Sequence, residues 1–337
     1  MILPENPRFH GSALSVRVSI SPAHEGFKGY WRGKDSDYIP SRTPHPRPNL
    51  DLPEAPYRLT RPQDWATGVI FGSPHSGHEY PDWFMDTTSL PSLVLRSSED
   101  AFVDDLMAGA PQAGAVTLAS RIPRAVVDLN RAADEIDPLI VRGVPRHPLN
   151  QRTLAGLGVI PRVVSQGRPI LDSPIERAEA ERRIAAYWRP YHRALAALLA
   201  EARGRFGQAI LIDMHSMPRE ALTHLHGPRP DIVIGNRHGL SASARVTDAI
   251  AGILESQGWR VRRNSPFAGA HIASAYGRPG QNIHVVQVEI DRSLYMDERR
   301  IIRSADFEAF RARMDQAVVR LSRLDPDGAV GRRIAAE

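Results

Sequence analysis

The feature of this sequence that most constrains its fold is an alternation of short apolar runs with helix-like segments, which begins at about residue 64. Several runs are continuous stretches of Val, Ile and Leu, as expected for strands covered on both faces. The predicted strands are Thr67–Gly72, Ala115–Ala119, Ala125–Leu129, Ala209–Asp213, Asp231–Ile234, Trp259–Arg262 and His284–Ile290. This order predicts an α/β fold in which a mixed, mainly parallel sheet is sandwiched by helices.

Helix-like segments fill the intervals between these runs. The predicted helices are Glu99–Ala110, Pro174 to about Gly204, Ala242–Gln257 and Ser304–Arg323. The second of them opens with a capping box, Ser173 followed by Glu176, and has proline at its first helical position. Residues 131–173 are rich in Pro, Gly and Arg and show little periodicity, so we expect a long active-site loop or insertion there.

The N-terminal part of the chain has neither kind of periodicity. Gly, Ser and Pro interrupt it, and seven prolines fall between Pro40 and Pro62. A segment of this composition predicts an extended, poorly structured leader. The expected organisation is therefore a leader over residues 1–60 and a single α/β domain over residues 61–330.

The charge of the chain is unevenly distributed. The formal net charge is +5, but residues 1–50 hold seven Lys and Arg against four Asp and Glu, and the remainder is nearly balanced. A basic stripe across the folded domain is therefore not indicated, and no nucleic-acid partner is predicted.

Cysteine is absent, which excludes disulfides, thiolate ligands and a cysteine nucleophile and suits a reducing cytoplasm. No stretch approaches the roughly 18 apolar residues of a membrane-spanning helix, and the N-terminus lacks the order of a signal peptide. We therefore expect a cytoplasmic protein that has no membrane partner and acts on a small molecule. The oligomeric state cannot be inferred from these features.

Two histidines each follow an apolar run, at the point where a predicted strand ends. His75 lies on a Gly-containing turn after Val69–Phe71, and His215 follows Asp213 at the end of the next long run. The carboxyl ends of strands are where open α/β sheets bind ligands, so the two rings are a candidate pair of metal ligands. Asp213 leaves the same strand face as His215 and can orient its imidazole. The alternative for either histidine is a loop side chain bonded to backbone.

A third ligand is available at the start of the helix predicted over Glu99–Ala110. Ser97 and Ser98 precede Glu99 and Asp100 there. Two histidines, one carboxylate and an open position form a recurrent catalytic zinc site. The alternative is purely structural, because serine followed by acidic residues in a first turn is also a capping pattern.

Three polar residues alternate with apolar ones in the last predicted strand. Gln287, Glu289 and Asp291 therefore project from one face of the strand. Glu289, among β-branched neighbours, is a candidate carboxylate with a raised pKa, as a general base requires. The alternative is an edge strand whose polar face is solvated.

Arginines lie beside these strand ends, at positions 121, 124, 131 and 292. Arginine suits bidentate recognition of a carboxylate, so these residues indicate an acidic substrate. Each of them can instead be a surface residue or pair with Asp128 or Asp291. No G-x-S-x-G elbow surrounds a serine, so a metal is the best available means of activating a nucleophile.

Taken together, these segments resemble the N-formylglutamate amidohydrolase family. The matching pieces are PHSG at 74–77, EDAFVDDL from Glu99, RAVVDLNR at 124–131, AYWRPYH at 186–192, IDMHSMP at 212–218, IGNRHG at 234–239, NSPFAGAHI at 264–272 and HVVQVEIDRSLYMDE at 284–298. The resemblance spans about residues 68–300, in order.

The resemblance implies a zinc carboxypeptidase or phosphorylase-hydrolase-like fold, and thus a single amidohydrolase domain. It implies a zinc site, or one for another divalent metal, formed by His75, Asp100 and His215, with Glu99 as the alternative carboxylate and Glu289 as the catalytic residue. The residues it implies for substrate binding are Arg124, Asn130, Arg131 and Arg292.

The activity implied by the resemblance is metal-dependent hydrolysis of N-formyl-L-glutamate to L-glutamate and formate, a step of histidine degradation. One departure is Phe102, where family members acting on this substrate often carry histidine. The alternatives are a metal-dependent hydrolase of another class, such as a phosphoesterase or a cell-wall peptide amidase, and a binding module without turnover.

Overall fold

The computed structural model describes residues 55–144 and 150–325, and all of them belong to one compact unit. The strands are β1 (Tyr57–Thr60), β2 (Val69–Ser73), β3 (Val116–Ser120), β4 (Val141–Arg142), β5 (Ile175–Glu176), β6 (Ala209–Met217), β7 (Ile232–Gly235), β8 (Val261–Arg263), β9 (Ile283–Asp291), β10 (Met296–Asp297) and β11 (Ile302–Arg303).

Seven of these strands form the central sheet, in the order β1-β3-β2-β6-β9-β7-β8. The four strands β3, β2, β6 and β9 run parallel to one another. The strand β1 is antiparallel to β3, and the pair β7 and β8 is antiparallel to β9. The prediction of a mixed, mainly parallel sheet is confirmed.

The helices are α1 (Asp82–Met85), α2 (Ser92–Arg96), α3 (Val103–Leu106), α4 (Gln151–Leu154), α5 (Arg177–Arg183), α6 (Arg189–Phe206), α7 (Ala244–Glu255), α8 (His271–Tyr276) and α9 (Phe307–Ser322). A π-helical segment, Ile184–Trp188, joins α5 to α6 without a break.

Two hydrophobic cores lie on opposite faces of the sheet, because successive side chains of a strand point in opposite directions. In β6, Ile210 and Ile212 pack in one core with α3, α7 and α9. Leu211, between them, packs in the other core with α6 and α8. The sheet is thus covered by helices on both faces, as the unbroken apolar runs predicted.

One predicted strand is wrong. Residues 125–129 form turns, although Val126 and Val127 are buried. The edge of the sheet beyond β3 is occupied by β1 instead. The apolar run therefore reflects burial in the core on one face of the sheet and not strand pairing.

The strand β1 also corrects the predicted leader boundary. Tyr57–Thr60 were expected to belong to the leader, but they pair with Thr117–Ser120 of β3. Residues 1–54, which hold most of that leader, lie outside the described residues. Among the described residues, no helix has the length and apolar character needed to cross a membrane.

The helix predicted over Glu99–Ala110 is mostly absent, since only Val103–Leu106 is helical. Phe102, directly before it, has φ +66°, a left-handed conformation that cannot continue a right-handed helix. The long helix begins at Arg177 and not at Pro174, and Glu176 caps it without a side-chain hydrogen bond. The capping box at Ser173 is therefore not formed.

Candidate active site

The two strand-end histidines meet at the carboxyl ends of β2 and β6. His75 follows β2 by two residues, and His215 lies within β6, which continues past its predicted end to Met217. Because β2 and β6 are parallel neighbours, their ends bring the two side chains together. The ring centroids are 4.9 Å apart, and both residues are only 3% exposed.

Asp100 completes this group. Its Oδ2 lies 3.0 Å from Nδ1 of His215 and 3.5 Å from Nδ1 of His75. Its backbone N–H donates to the carbonyl of His75 at 2.9 Å, which holds the segment against the end of β2. One ligand atom from each of His75, Asp100 and His215 lies within 4.8 Å of the others, so the group can hold a metal ion.

Glu99, the alternative carboxylate, faces elsewhere. Its Oε1 accepts a hydrogen bond from the Tyr80 hydroxyl at 2.9 Å. Its Oε2 accepts from Nε of Arg96 at 3.1 Å. Phe102 is not among the residues that line the cavity described below, and its ring packs against Phe307.

The outer nitrogen of each histidine faces a second buried carboxylate. Nε2 of His75 lies 2.7 Å from Oδ1 of Asp128, and Nε2 of His215 lies 3.1 Å from Oδ2 of Asp213. This arrangement is typical of histidines that bind a metal, because a carboxylate behind the ring fixes its orientation and leaves the other nitrogen for the ion. The predicted orienting role of Asp213 agrees with this distance.

Asp213 gives a test of whether a cation fits. Both of its oxygens are fully buried and have no hydrogen-bond donor of good geometry among the described residues. A cation on Nδ1 of His215 leaves the ring proton on Nε2, so an N–H group then faces Oδ2 of Asp213 at 3.1 Å. The donor set therefore suits a bound metal ion.

The charges of the group point the same way. Burial acts to raise the pKa of the Asp100 carboxyl, but hydrogen bonds from His215 and His75 outweigh it and hold that pKa well below its usual range. Burial acts to lower the pKa of His215, but the charge of Asp213 and the hydrogen bond to Asp100 raise it well above the ordinary value. The surplus of negative charge that holds a proton there also attracts a cation.

Glu289 lies beside the metal-ligand group, on β9. It is directly opposite His215 in the β6–β9 ladder and is 7% exposed. Its Oε1 accepts from Nε2 of Gln287 at 2.6 Å, and Oε1 of Gln287 accepts from the backbone of Ala270 at 3.0 Å. Burial raises the pKa of Glu289, partly offset by the charge of His215. The strand is interior to the sheet, so the alternative of a solvated edge strand is wrong.

A cavity of about 520 Å³ opens over these residues. His75, Asp100, His215 and Glu289 all line it. Much of its lining comes from residues 155–170, within the segment predicted to be an active-site loop. We refer to this space as the catalytic cavity.

The predicted arginines differ in how their donors are used. Arg292 donates to the hydroxyl of Ser216, the carbonyl of Ser97 and Oδ1 of Asp100, at 3.0 to 3.1 Å. All three of its guanidinium nitrogens therefore have partners within the protein. Arg121 pairs with Glu79 at 2.8 Å and does not line the catalytic cavity.

Arg124 and Arg131 both line the catalytic cavity. Arg124 donates to Oδ2 of Asp128 at 2.6 Å, and its side chain is 22% exposed. Arg131 donates to two backbone carbonyls, those of Leu157 and Asn130. Arg131 has no salt bridge to a carboxylate among the described residues, although it is buried.

Asn130 is held by partners on three sides. Its backbone N–H donates to Oδ1 of Asp128 at 2.8 Å, and its Oδ1 accepts from the backbone of Ile272 at 2.8 Å. Its Nδ2 lies 3.2 Å from Nε2 of His215. This residue links the turn at 128–131 to the histidine.

Trp188 and His192, which were not predicted as site residues, hold this turn in place. Nε1 of Trp188 donates to the carbonyl of Arg131 at 2.9 Å, and Nε2 of His192 donates to that of Leu129 at 2.9 Å. Their rings stack with centroids 3.8 Å apart. Burial lowers the pKa of His192 to about 3, so its imidazole is neutral. The sequence feature that could have identified Trp188 and His192 is the AYWRPYH motif. It overlaps the π-helical segment, and such segments are frequent at functional sites.

The fold and the site define a class of protein: a hydrolase of the α/β class with a metal-binding type of site. In it, parallel strands end at a buried His–Asp–His group able to hold a metal, and another buried carboxylate lies beside this group. A model of the N-formylglutamate amidohydrolase family matches residues 67–296. The chain belongs to this family.

Relatives of known name agree with this assignment. The N-formylglutamate deformylases of Pseudomonas aeruginosa and Pseudomonas putida are 34% and 31% identical to this chain, each over 68% of it and over 83% and 82% of their own lengths.

Two solved structures are also similar to this chain. The N-formylglutamate amidohydrolase of Ralstonia eutropha JMP134 is 34% identical, with a TM-score of 0.75 over 80% of this chain and 98% of that one. A protein of Agrobacterium tumefaciens shares the fold at 18% identity, with a TM-score of 0.54 over 79% of this chain and 95% of that one.

Proposed function

We propose that this protein hydrolyses N-formyl-L-glutamate to L-glutamate and formate. The observation that carries the proposal is the convergence of His75, Asp100 and His215 beside the buried carboxylate of Glu289. The names of the relatives at 34% and 31% identity support the choice of substrate.

We propose that the metal is Zn²⁺, held by Nδ1 of His75, Nδ1 of His215 and a carboxylate oxygen of Asp100. Two histidines and one carboxylate form a common ligand set for catalytic zinc, which keeps a further position open. When bound, such an ion supplies a Lewis acid that lowers the pKa of water towards roughly 7 and polarises the amide carbonyl.

Glu289 acts as the general base and then as the general acid. It takes a proton from the attacking water as the new bond to the formyl carbon forms. It delivers that proton to the amine nitrogen as the C–N bond breaks, so that formate and the free amino acid leave. A carboxylate whose pKa is raised by burial is suited to hold a proton between these two steps.

Arg131, with Arg124 beside it, binds a carboxylate of the substrate. Arg131 is buried in the wall of the catalytic cavity without a carboxylate partner among the described residues, and Arg124 is partly exposed there. Asn130 completes this part of the wall. Arg292, also predicted to bind substrate, has its donors on Ser216, Ser97 and Asp100, so we propose that it positions Asp100.

The test combines metal analysis of the purified protein with hydrolysis assays on N-formyl, N-acetyl and N-succinyl amino acids. We expect one metal ion per chain and the highest kcat/KM for N-formyl-L-glutamate. The variant His215→Ala should lose both metal and activity, because it removes one of three ligands. Full activity in this variant would contradict the proposed metal site.

The same measurements address the alternatives. Two metal ions per chain together with hydrolysis of phosphoesters would favour a phosphoesterase. Release of peptides from cell-wall fragments would favour a peptide amidase. Binding of these compounds without turnover would favour a binding module. The cytoplasmic location and a role in histidine degradation stay predictions.

A further inference from the structure

A second cavity, of about 420 Å³, adjoins the catalytic cavity. Arg131, Arg152 and Ala270 line both of them, so the two spaces share one wall. The remaining residues that line the second cavity are Glu135, Asn150, Gln151, Arg237, Gly269, His271 and Ser274. None of the site residues predicted from the sequence accounts for this space except Arg131.

The charges that line the second cavity are unbalanced. The guanidinium groups of Arg152 and Arg237 make no hydrogen bond or ion pair with any described residue, and Arg131 has no carboxylate partner there either. The single acidic side chain, Glu135, has both oxygens in use, accepting from the backbone of Ala132 at 3.1 Å and from Nδ2 of Asn150 at 2.9 Å. The lining therefore offers unused cationic donors and only one carboxylate, which is already bonded.

Arg237 is held in an unfavourable backbone conformation. Its φ is +52°, and that of His238 is +56°, both in the left-handed region that residues other than glycine seldom adopt. Such conformations persist only where the surroundings enforce them, and they cluster at functional sites. The surroundings of the IGNRHG segment therefore hold its backbone in this conformation.

Two asparagines supply that constraint. Nδ2 of Asn264 donates to Oδ1 of Asn236 at 2.9 Å, and the backbone of Asn236 donates to Oδ1 of Asn264 at 3.0 Å. The backbone of Arg237 donates to the carbonyl of Ala268 at 2.6 Å. These bonds tie the IGNRHG and NSPFAGAHI segments together on either side of Arg237.

Gly269 fits against the stem of Arg237. A Cβ atom added at Gly269 would lie 2.9 Å from Cγ of Arg237, so a side chain there would displace the stem of Arg237, and the glycine has φ +115°. The next residue, Ala270, is the one whose backbone donates to Gln287, the partner of Glu289. The loop that supports Arg237 is thus also bonded to the residue that holds the catalytic carboxylate.

We propose that Arg237, together with Arg152, binds the side-chain carboxylate of the substrate, while Arg131 binds the other carboxylate. The proposal rests on the function proposed above. A dicarboxylate bound at Arg131, which lines both cavities, directs its second carboxylate towards the unpaired guanidinium groups of the second cavity. A neutral side chain would leave those groups unsatisfied, and a site built to bond a polar group rejects the analogue that lacks it.

The test is the ratio of kcat/KM for N-formyl-L-glutamate to kcat/KM for N-formyl-L-glutamine, which differs only in the side-chain carboxylate. In Arg237→Met we expect this ratio to fall roughly 10- to 100-fold, as for loss of a hydrogen bond to a charged group. Arg152→Met should lower it less, because Arg152 is more exposed. Arg237→Lys, which keeps the charge, should recover part of the loss.

The control is Arg193→Met, which removes the same charge from an exposed position on α6 that lines neither cavity. Its ratio should equal that of the unaltered protein. Thermal unfolding of every variant shows whether the fold is kept. A fall in kcat/KM of the same size for both substrates would overturn the proposal, since it would indicate a structural role for Arg237. The proposal would also be overturned if Arg237→Met lowered discrimination only against the analogue in which the substrate's α-carboxylate is replaced by an amide.

Binding of glutarate and butyrate, measured by calorimetry, separates this proposal from the proposed function. We expect glutarate to bind the unaltered protein more tightly than butyrate, and Arg237→Met to remove most of that difference. If the protein failed to hydrolyse N-formyl-L-glutamate but kept this binding pattern, the function would be wrong and the carboxylate site would stand. If the protein hydrolysed N-formyl-L-glutamate but Arg237→Met changed neither the kcat/KM ratio nor the difference in binding, the function would stand and the carboxylate site would be wrong.

Discussion

The two halves of the active site are built in different ways. In the metal-ligand half, His75 lies directly after β2, His215 lies in β6 and Glu289 in β9, and Asp100 lies on the irregular segment between α2 and α3. The substrate half lies on irregular segments, at the turn of residues 128–131 and at Arg237. Backbone ladders position the first half, whereas the second depends on side chains that bond backbone groups far away in the chain.

The halves also differ in charge. In the metal-ligand half, Asp100, Asp128 and Asp213 each lie within 3.5 Å of a histidine nitrogen. In the substrate half, Arg131 and Arg237 have no carboxylate partner among the described residues. One half is therefore suited to a cation and the other to an anion, so substitutions in them should have separable effects.

The largest effect is expected in the strand-borne half, from Glu289→Gln. Glutamine keeps the shape and the contact with Gln287 but cannot take a proton, so kcat should fall roughly 10²- to 10⁴-fold. Metal content should stay at the level of the unaltered protein, because Glu289 is not among the three proposed ligands. Glu255→Gln, exposed at the end of α7, is the matched control. A kcat above a tenth of normal in Glu289→Gln would remove it from the reaction.

A smaller effect within the same half is expected from Asp213→Asn. The asparagine lacks the negative charge behind Nε2 of His215, so metal affinity should fall about 10- to 100-fold. Competition with a chelator of known affinity measures the change. Asp128→Asn should behave similarly through His75, from which it lies 2.7 Å. Unchanged metal affinity in Asp213→Asn would mean that its buried carboxylate serves another purpose.

The substrate half should respond in KM and not in metal content. Lysine keeps the charge of Arg131 but cannot form a bidentate pair, so Arg131→Lys should raise KM for N-formyl-L-glutamate roughly 10-fold, with a smaller change in kcat. Steady-state kinetics on metal-loaded protein gives both parameters. A fall in kcat at constant KM would instead assign Arg131 to the chemical step.

This contrast explains which parts the sequence could predict. His75, His215 and Glu289 were predicted because apolar runs mark strands, and adjacent parallel strands bring their ends together. The predicted strands corresponding to β6 and β9 were nevertheless too short. The hydrogen-bonded ladder between them continues through buried polar residues, to Met217 and Asp291. Their pairing satisfies the backbone while the polar side chains serve the site.

The loop-borne half was harder to predict for a physical reason. The run at Ala125–Leu129 has strand-like composition, yet its position is fixed by side chains such as Trp188 and not by a neighbouring strand. Arg152 and Arg237 carry no local signal either, since the bonds between Asn236 and Asn264 join residues 28 apart. Periodicity reports on local burial and is silent about contacts of that range.

A modest effect on the substrate half should follow from Trp188→Phe. Phenylalanine keeps an aromatic ring against His192 but removes the donor to the carbonyl of Arg131, so kcat/KM should fall about 3- to 10-fold. The matched control is Trp259→Phe, because Nε1 of Trp259 has no hydrogen-bond partner among the described residues. Equal losses in both variants would mean that Trp188 acts by packing alone.

The smallest catalytic effect, but a distinct thermodynamic one, is expected at His192. Burial lowers the pKa of this residue to about 3, against 6.5 for the ordinary side chain. The free energy of unfolding should therefore be unaffected by this group above about pH 6.5. Between about pH 6.5 and 3, His192 is protonated in the unfolded chain but neutral in the folded protein. The free energy of unfolding therefore falls by up to about 1.4 kcal/mol for each unit by which the pH is lowered.

Urea unfolding of the unaltered protein and of His192→Gln at pH 7, 6 and 5 measures this contribution. The variant should be less stable at pH 7, because the bonds to Leu129 and Tyr276 are altered. The difference between the two proteins should then shrink as the pH falls, since glutamine does not titrate. A constant difference across this range would show that His192 takes up its proton in the folded state, and that the substrate half tolerates a charge behind its turn.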